Sequence, residues 1–169
     1  EQGVFWPCPQ EGHPGTPRLF GDGFPTPDGR ARFIRVDHRD VAEPPDAHYP
    51  YVLTTGRTSQ HYQSGTQTRR VRALVTAMPE ARVEMHPDLA RRHGVDENDV
   101  VEVRSRRGRA YFRARLTDAI RPDTLFAPFH WAGAASVNRL TNPALDPISR
   151  MPEFKVCAVR IESPTDRQG

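Results

Sequence analysis

YVLTTGRTSQHYQSGTQTRRVRAL, residues 51–74, decides how this chain is read. Tyr51, Val52, Leu53 and two threonines suit a half-buried pleated strand. Gly56-Arg57 breaks it into a polar loop of Thr, Ser, Gln, His and Tyr. A helix is expected from about Arg69, where Val71, Leu74, Val75 and Met78 recur at spacings of three and four and share one face. Such a strand, Gly turn, donor-rich loop and helix start is suited to an anion. Gly56 and Gly65 let backbone approach a ligand closely, and amides at a helix start favour negative charge. Arg57, Arg69 and Arg70 can each grip a phosphate with two N–H groups. His61 and Tyr62 offer flat faces for a heterocycle. The residues suit a nucleotide-like ligand. They equally suit a solvated helix start after an ordinary polar loop, and local pattern leaves both open.

The chain has 169 residues, 36% hydrophobic, with 17 prolines and 12 glycines. That describes one loop-rich domain able to bury about two-thirds of its unfolded surface. Net charge is +3, and Lys155 is the single lysine. An arginine bias follows from GC-rich codon usage as readily as from nucleic-acid binding, so charge alone assigns no such partner. Cys8 and Cys157 form no C-x-x-C pair, which argues against zinc, a cluster or a disulfide framework and for a reduced, cytoplasmic setting. No apolar run approaches the roughly 18 residues of a membrane span, and no signal peptide is visible. A start at Glu1 without Met, in Pro-rich sequence, is expected of a piece of a longer chain.

Along the chain, residues 1–48 read as an extended Pro/Gly-rich strap and linker, with Phe5, Trp6, Leu19, Phe20 and Phe24 as docking anchors and a short strand at 31–37. Residues 49–163 carry alternating strands at 51–55, 82–86, 100–104, 110–116, 124–129 and 156–161. Arg107-Gly108 marks a hairpin turn. Pro87 opens a short helix that Gly94 stops. Residues 164–169 read as a tail. Seven or so short strands with two or three short helices make a mostly β barrel or sandwich.

Three ordered motifs then resemble a known family. The loop LTTGRTSQHYQSGTQTRR is similar to the T-G-R-x-x-x-H-aromatic-x-[ST]-G-x-x-T-R segment of the molybdopterin dinucleotide-binding domain at the C-terminus of molybdopterin oxidoreductases. HPDLARRHGVDENDVVEVRSRRGRAYFRARLTDAIRPDTLFAPFH resembles the second half of its double-psi β-barrel, of the aspartate-decarboxylase-like kind. VNRLTNPALDPISRMPEFK resembles its N-x-L-T … D-P-x-S-x-x-P-x-[FY]-K stretch. The strap WPCP … GTPRLF … FPTPDGRARF looks like the linker before this domain in assimilatory nitrate reductases and related formate dehydrogenases.

The resemblance implies a mainly β, double-psi barrel that binds molybdopterin guanine dinucleotide. Two such dinucleotides would sit on one molybdenum, and a [4Fe-4S] cluster and the metal ligand would lie in upstream domains of the same polypeptide. It implies no catalytic or metal-binding residue here, and nitrate reduction to nitrite as the whole enzyme's reaction, with formate oxidation the rival. By the same resemblance Thr55, Gly56 and Arg57 meet the pterin or its phosphates. His61 hydrogen-bonds one of these, and Tyr62 stacks. Ser64, Gly65, Thr66, Thr68 and Arg69 complete the loop, with capping an alternative for the hydroxyls. Asn138 reads ring edges, and Lys155 supplies a point charge. Phe129, His130 and Trp131 either line the channel or close the barrel. Two readings of other classes remain: a double-psi protein-interaction module, and a nucleic-acid binder through RSRRGRAYFRAR. The hairpin's alternation puts Tyr111 and Phe112 on opposite faces, which makes a poor stacking platform for nucleic acid.

Overall fold

A closed barrel of six short strands forms the body of the protein. The computed structural model describes residues 3–162, so the expected tail at 164–169 lies outside the described residues. The strands are β1 (Tyr51–Gly56), β2 (Arg82–Met85), β3 (Val100–Arg104), β4 (Arg109–Leu116), β5 (Thr124–Pro128) and β6 (Cys157–Glu162). Around the barrel they run β1-β5-β2-β4-β3-β6. Two of the pairs, β1 with β5 and β2 with β4, are parallel; the other four are antiparallel. The expected double-psi barrel is therefore present as a closed, mainly β body with two short helices.

Period-two alternation builds it. In β4, Ala110, Phe112 and Ala114 are buried, while Tyr111 and Arg113 are half-exposed on the other face. Leu53, Val83, Met85, Val101, Val103, Leu125 and Val159 fill the interior from the remaining strands. Ser105 N–H donates to the Gly108 carbonyl at 2.9 Å, closing the expected hairpin. Helix α2 (Pro87–His93) starts with Pro87 in its first turn and ends where Gly94 turns left-handed at φ 58°.

Two expectations are corrected. The helix expected from Arg69 is a 3-10 turn, Thr68–Arg70, followed by α1 (Arg72–Ala77), neither with a fully buried residue. Val71 is exposed; its apolar neighbours half-cover a surface rather than enter the core. The strand at 31–37 does not form: Phe33, Ile34 and Val36 are exposed, and no strand pairs with them. Phe5, Trp6, Leu19, Phe20 and Phe24 are exposed as well, with the Phe20 and Phe24 rings stacked on each other at 5.3 Å.

Contacts divide the chain into Glu1–Arg39 and a unit beginning at Asp40. Residues 40–48, read as linker, thus belong with the barrel. Glu43 shows why: it accepts the Ala158 N–H at 3.0 Å and pairs with Arg107. Arg107 also donates to the Leu140 carbonyl at 2.8 Å, so one ion pair ties the incoming segment, the hairpin and the loop before β6.

Candidate cofactor-binding cavity

The end of β1, the start of β6 and the turn at Val137–Arg139 meet around a cavity of about 410 Å³. Thr55, Arg57 and Gln63 line it from the loop side, Asn138 and Phe129 from the β5 side, Phe154 and Lys155 from the approach to β6. The Gly-turn loop, Asn138 and Lys155 are thus brought to one space from three distant stretches. Buried Val137 and Leu140 flank Asn138 and leave its exposed amide free of the core. Lys155 donates to the Thr55 carbonyl at 2.6 Å, and Thr55 Oγ1 donates to the Phe154 carbonyl at 3.0 Å. These bonds pin the ammonium at the end of β1.

Phe129 forms a wall between the two cations. The Arg57 guanidinium lies 5.5 Å from its ring centre and Lys155 Nζ 5.9 Å, while Phe154 faces Lys155 at 5.4 Å. Arg57 also donates to Gln63 Oε1 at 3.4 Å. Two cations, two amides and two aromatic faces, with no acid among the lining residues, suit an anionic ligand that carries a flat heterocycle. A second cavity of about 620 Å³ lies beyond Arg57, which lines both. Ser59, Gln60, Arg82, Arg115 and Phe126 also line it, and Arg115 is paired with Glu84 at 3.1 Å.

Other expected residues sit elsewhere. His61 is buried with both nitrogens engaged inside the protein and does not line the cavity. Its Nε2 lies 2.9 Å from the Met78 carbonyl, which only accepts, so Nε2 carries the proton; Nδ1 faces Thr68 Oγ1 at 3.1 Å. Thr68 in turn accepts the Tyr62 N–H at 3.3 Å and is turned inward. Tyr62 itself is exposed and stacks on nothing described. Ser64 and Thr66 are exposed and hydrogen-bond each other. They cap no helix, since the turn at Thr68–Arg70 has no side-chain cap.

Arg69 folds back over Gly65, its backbone N–H and Nε both donating to the Gly65 carbonyl at 2.9 and 3.3 Å. A six-residue helix and a spent Arg69 amide do not make the anion-binding helix start that the sequence pattern implied. Packing gives Gly56 a reason of its own: a Cβ there would sit 2.4 Å from Phe126 Cε2. Gly65 does need its glycine, at φ +71° and against the His130 carbonyl.

Sequence reasoning missed Gln63 and Phe154 as lining residues. Gln63 has a positive φ of 50°, which nothing in its letter announces. Phe154 adjoins Lys155 in PEFK, so only its neighbour pointed to it. Among the described residues no group of three or more His, Cys, Asp and Glu side chains could hold a metal ion.

Residues 51–158 match the model of the molydopterin dinucleotide binding domain. The assimilatory nitrate reductase catalytic subunit of Bacillus subtilis (strain 168) is 45% identical over 163 residues, 95% of this chain and 23% of that protein. The F420-dependent formate dehydrogenase subunit alpha of Methanocaldococcus jannaschii is 46% identical over 160 residues, 95% of this chain and 24% of that protein. The chain therefore spans about a quarter of the length of the curated relatives it matches. Among solved structures, acetylene hydratase from Pelobacter acetylenicus shares the fold, with a TM-score of 0.60 and 18% identity over 68% of this chain and 18% of its own. With the family model covering most of the chain, and the barrel and cavity in place, this protein belongs to the molydopterin dinucleotide binding domain family.

Proposed function

We propose that this domain binds molybdopterin guanine dinucleotide as one part of a molybdenum-dependent oxidoreductase that reduces nitrate to nitrite. The observation that carries the reading is the convergence of Arg57, Asn138 and Lys155 on one cavity walled by Phe129. Arg57 and Lys155 would hold the anionic groups, Asn138 would meet heterocycle edges, and Phe129 and Phe154 would cover its face. Thr58 Oγ1, buried without a hydrogen-bond partner among the described residues, is a further hydroxyl that the loop has not satisfied internally. The second basic cavity beyond Arg57 supports a form with two dinucleotides on one molybdenum.

When bound, the molybdenum group supplies the redox chemistry, and this chain supplies binding and orientation. The metal ligand and a [4Fe-4S] cluster would belong to further domains of the same polypeptide, in the cytoplasm. The similarity to a formate dehydrogenase alpha subunit, as high as that to the nitrate reductase, favours formate oxidation as the second reading.

Guanosine diphosphate is the probe. Each charge-assisted contact is worth about 1.5–3 kcal/mol, so Lys155→Ala should weaken its calorimetric affinity roughly 10- to 150-fold, and Asn138→Ala less. Asn138 is exposed, so Asn138→Ala should move the unfolding midpoint by no more than about 0.5 kcal/mol equivalent, while Lys155→Ala also loses the bond to the Thr55 carbonyl and should cost about 1 kcal/mol. Unchanged affinity in Lys155→Ala would refute the assignment.

A further inference from the structure

His130 lies two residues past the end of β5 and is completely buried. Its two ring nitrogens meet two backbone groups of the Gly-turn loop. Nε2 lies 2.9 Å from the Thr58 backbone nitrogen; an N–H only donates, so Nε2 keeps its lone pair. Nδ1 faces the Gln63 carbonyl, which only accepts, so Nδ1 carries the proton. The tautomer is thereby fixed from both sides. Gly65 adds a third point of closure, since its positive φ brings the loop against the His130 carbonyl where a Cβ would sit 2.9 Å away.

We propose that His130 is the positioning residue of the dinucleotide-binding loop. As a neutral imidazole protonated on Nδ1 it clasps Thr58 and Gln63, and so sets Arg57 and the Gln63 side chain at the cavity. This rests on the cofactor reading above. Arg57 immediately precedes Thr58, and the Gln63 side chain accepts from Arg57, so both ends of the clasp carry a lining group. The ring touches no ligand space itself; it acts through the loop.

A second proton on this ring would place an N–H against the Thr58 N–H, two donors with no acceptor between them. The titratable and charged groups facing it are His61, with ring centres 5.7 Å apart, and Arg57 and Arg69; Phe129 and Trp131 pack against it as well. None offers an imidazolium a counter-charge. Burial lowers the His130 pKa below its ordinary 6.5; the Gln63 carbonyl opposes this, and His61, Arg57 and Arg69 add to it. The sign is that of a depressed base. Its share of loop order is whole above pH 6.5 and is lost as acid drives the pH from there through the folded value.

The test uses this chain, ¹⁵N-labelled, with guanosine diphosphate as probe. Imidazole ¹⁵N correlations should show His130 protonated on Nδ1 only. His130→Phe fills the volume without either polar end; it should lose amide-exchange protection at Thr58 and bind the probe at least tenfold more weakly at pH 8. His130→Gln keeps an acceptor for the Thr58 N–H and does not titrate. It should restore most of that binding and lessen the fall in affinity that the native chain shows on acidification, leaving the part that protonation of the probe's own terminal phosphate gives to both. An Nε2-protonated His130, native affinity in His130→Phe, or the same acid profile in His130→Gln and the native chain would each overturn the proposal. Failure of the native chain to bind the probe would refute the cofactor reading, while the tautomer and the Thr58 amide would still decide whether the clasp exists.

Discussion

Replacing Gly56 with Ala tests whether this glycine serves packing or the ligand. The new Cβ would lie 2.4 Å from Phe126 Cε2 and 2.9 Å from its Cζ. Carbon atoms settle at about 3.5–4 Å, so the ring must retreat by about 1 Å. The backbone is poorly placed to yield. Gly56 pairs with Pro128 at the end of the β1–β5 register, and its carbonyl accepts the Phe129 N–H at 3.2 Å. Overpacking of this kind costs about 1–3 kcal/mol. The chain entropy removed by Ala returns about 0.5–1 kcal/mol of that, and half-exposed Phe126 can relax outward. The difference runs up to about 2.5 kcal/mol, centred near 1 kcal/mol, which for a chain of this size lowers Tm by about 2–4 °C.

The assay is a double-mutant cycle with Phe126→Leu, read by thermal unfolding. Leu lacks the ring edge that meets the Cβ, so Gly56→Ala should cost under about 0.5 kcal/mol in that background. Guanosine diphosphate affinity at the Arg57–Lys155 cavity, measured well below Tm, should be unchanged, because neither Gly56 nor Phe126 lines it. An equal cost in both backgrounds would refute the packing argument. Full stability with lost affinity would restore the role in ligand approach that the sequence first implied.

Two further outcomes follow from buried groups. Burial pushes the Cys157 thiol up to about 11 against the pull of Arg107, whereas Cys8 is exposed. Iodoacetamide at pH 8 should therefore modify Cys8 and spare Cys157 by peptide mapping; comparable rates would contradict the packed environment. Burial also acts to raise the Glu43 pKa, but hydrogen bonds from Arg107 and the Ala158 N–H, with the charges of Arg107 and Arg106, outweigh it and hold the carboxyl below its ordinary 4.5. Its stabilisation is present above that value and lost as pH falls through the folded one. Glu43→Gln should cost about 1.5–3 kcal/mol at pH 7, and the gap to the native chain should narrow on acidification to about pH 3. A gap independent of pH would show that Glu43 is not held as an anion.

The barrel was legible because its cues are local. Alternation in β4, the Arg107-Gly108 turn, and Pro87 and Gly94 at either end of α2 each act within a few residues, and each stands where the sequence put it. The strand at 31–37 carried the same alternation and failed, because a strand also needs a neighbouring edge, which residues 31–37 cannot announce. The helix from Arg69 failed in a related way. Its apolar spacing was correct, but no layer covers Val71, so the segment shortens to one 3-10 turn and six helical residues.

The same division runs through the site, and there it separates cavity-lining residues from supporting ones. Arg57, Asn138 and Lys155 are long or polar side chains whose neighbours are held in the core: Thr55 beside Arg57, Val137 beside Asn138, Cys157 beyond Lys155. Arg57 and Lys155 share their parity with those buried neighbours, so alternation does not aim them; they stand just outside the ends of β1 and β6, where the chain leaves the pleat, and so reach the cavity. His61, Thr68 and Gly56 belong to the same motif, yet their partners are Met78, the Tyr62 amide and Phe126. Nothing in the motif's own letters distinguishes a histidine that meets a phosphate from one that holds Met78. The deciding contacts come from α1, β5 and the His130 segment, which the chain delivers only after the barrel closes. Polar residues of this loop thus take their roles from where their hydrogen bonds can end. Those that find an internal carbonyl or amide become the frame, and the side chains left at the rim, those of Arg57 and Gln63, line the cavity.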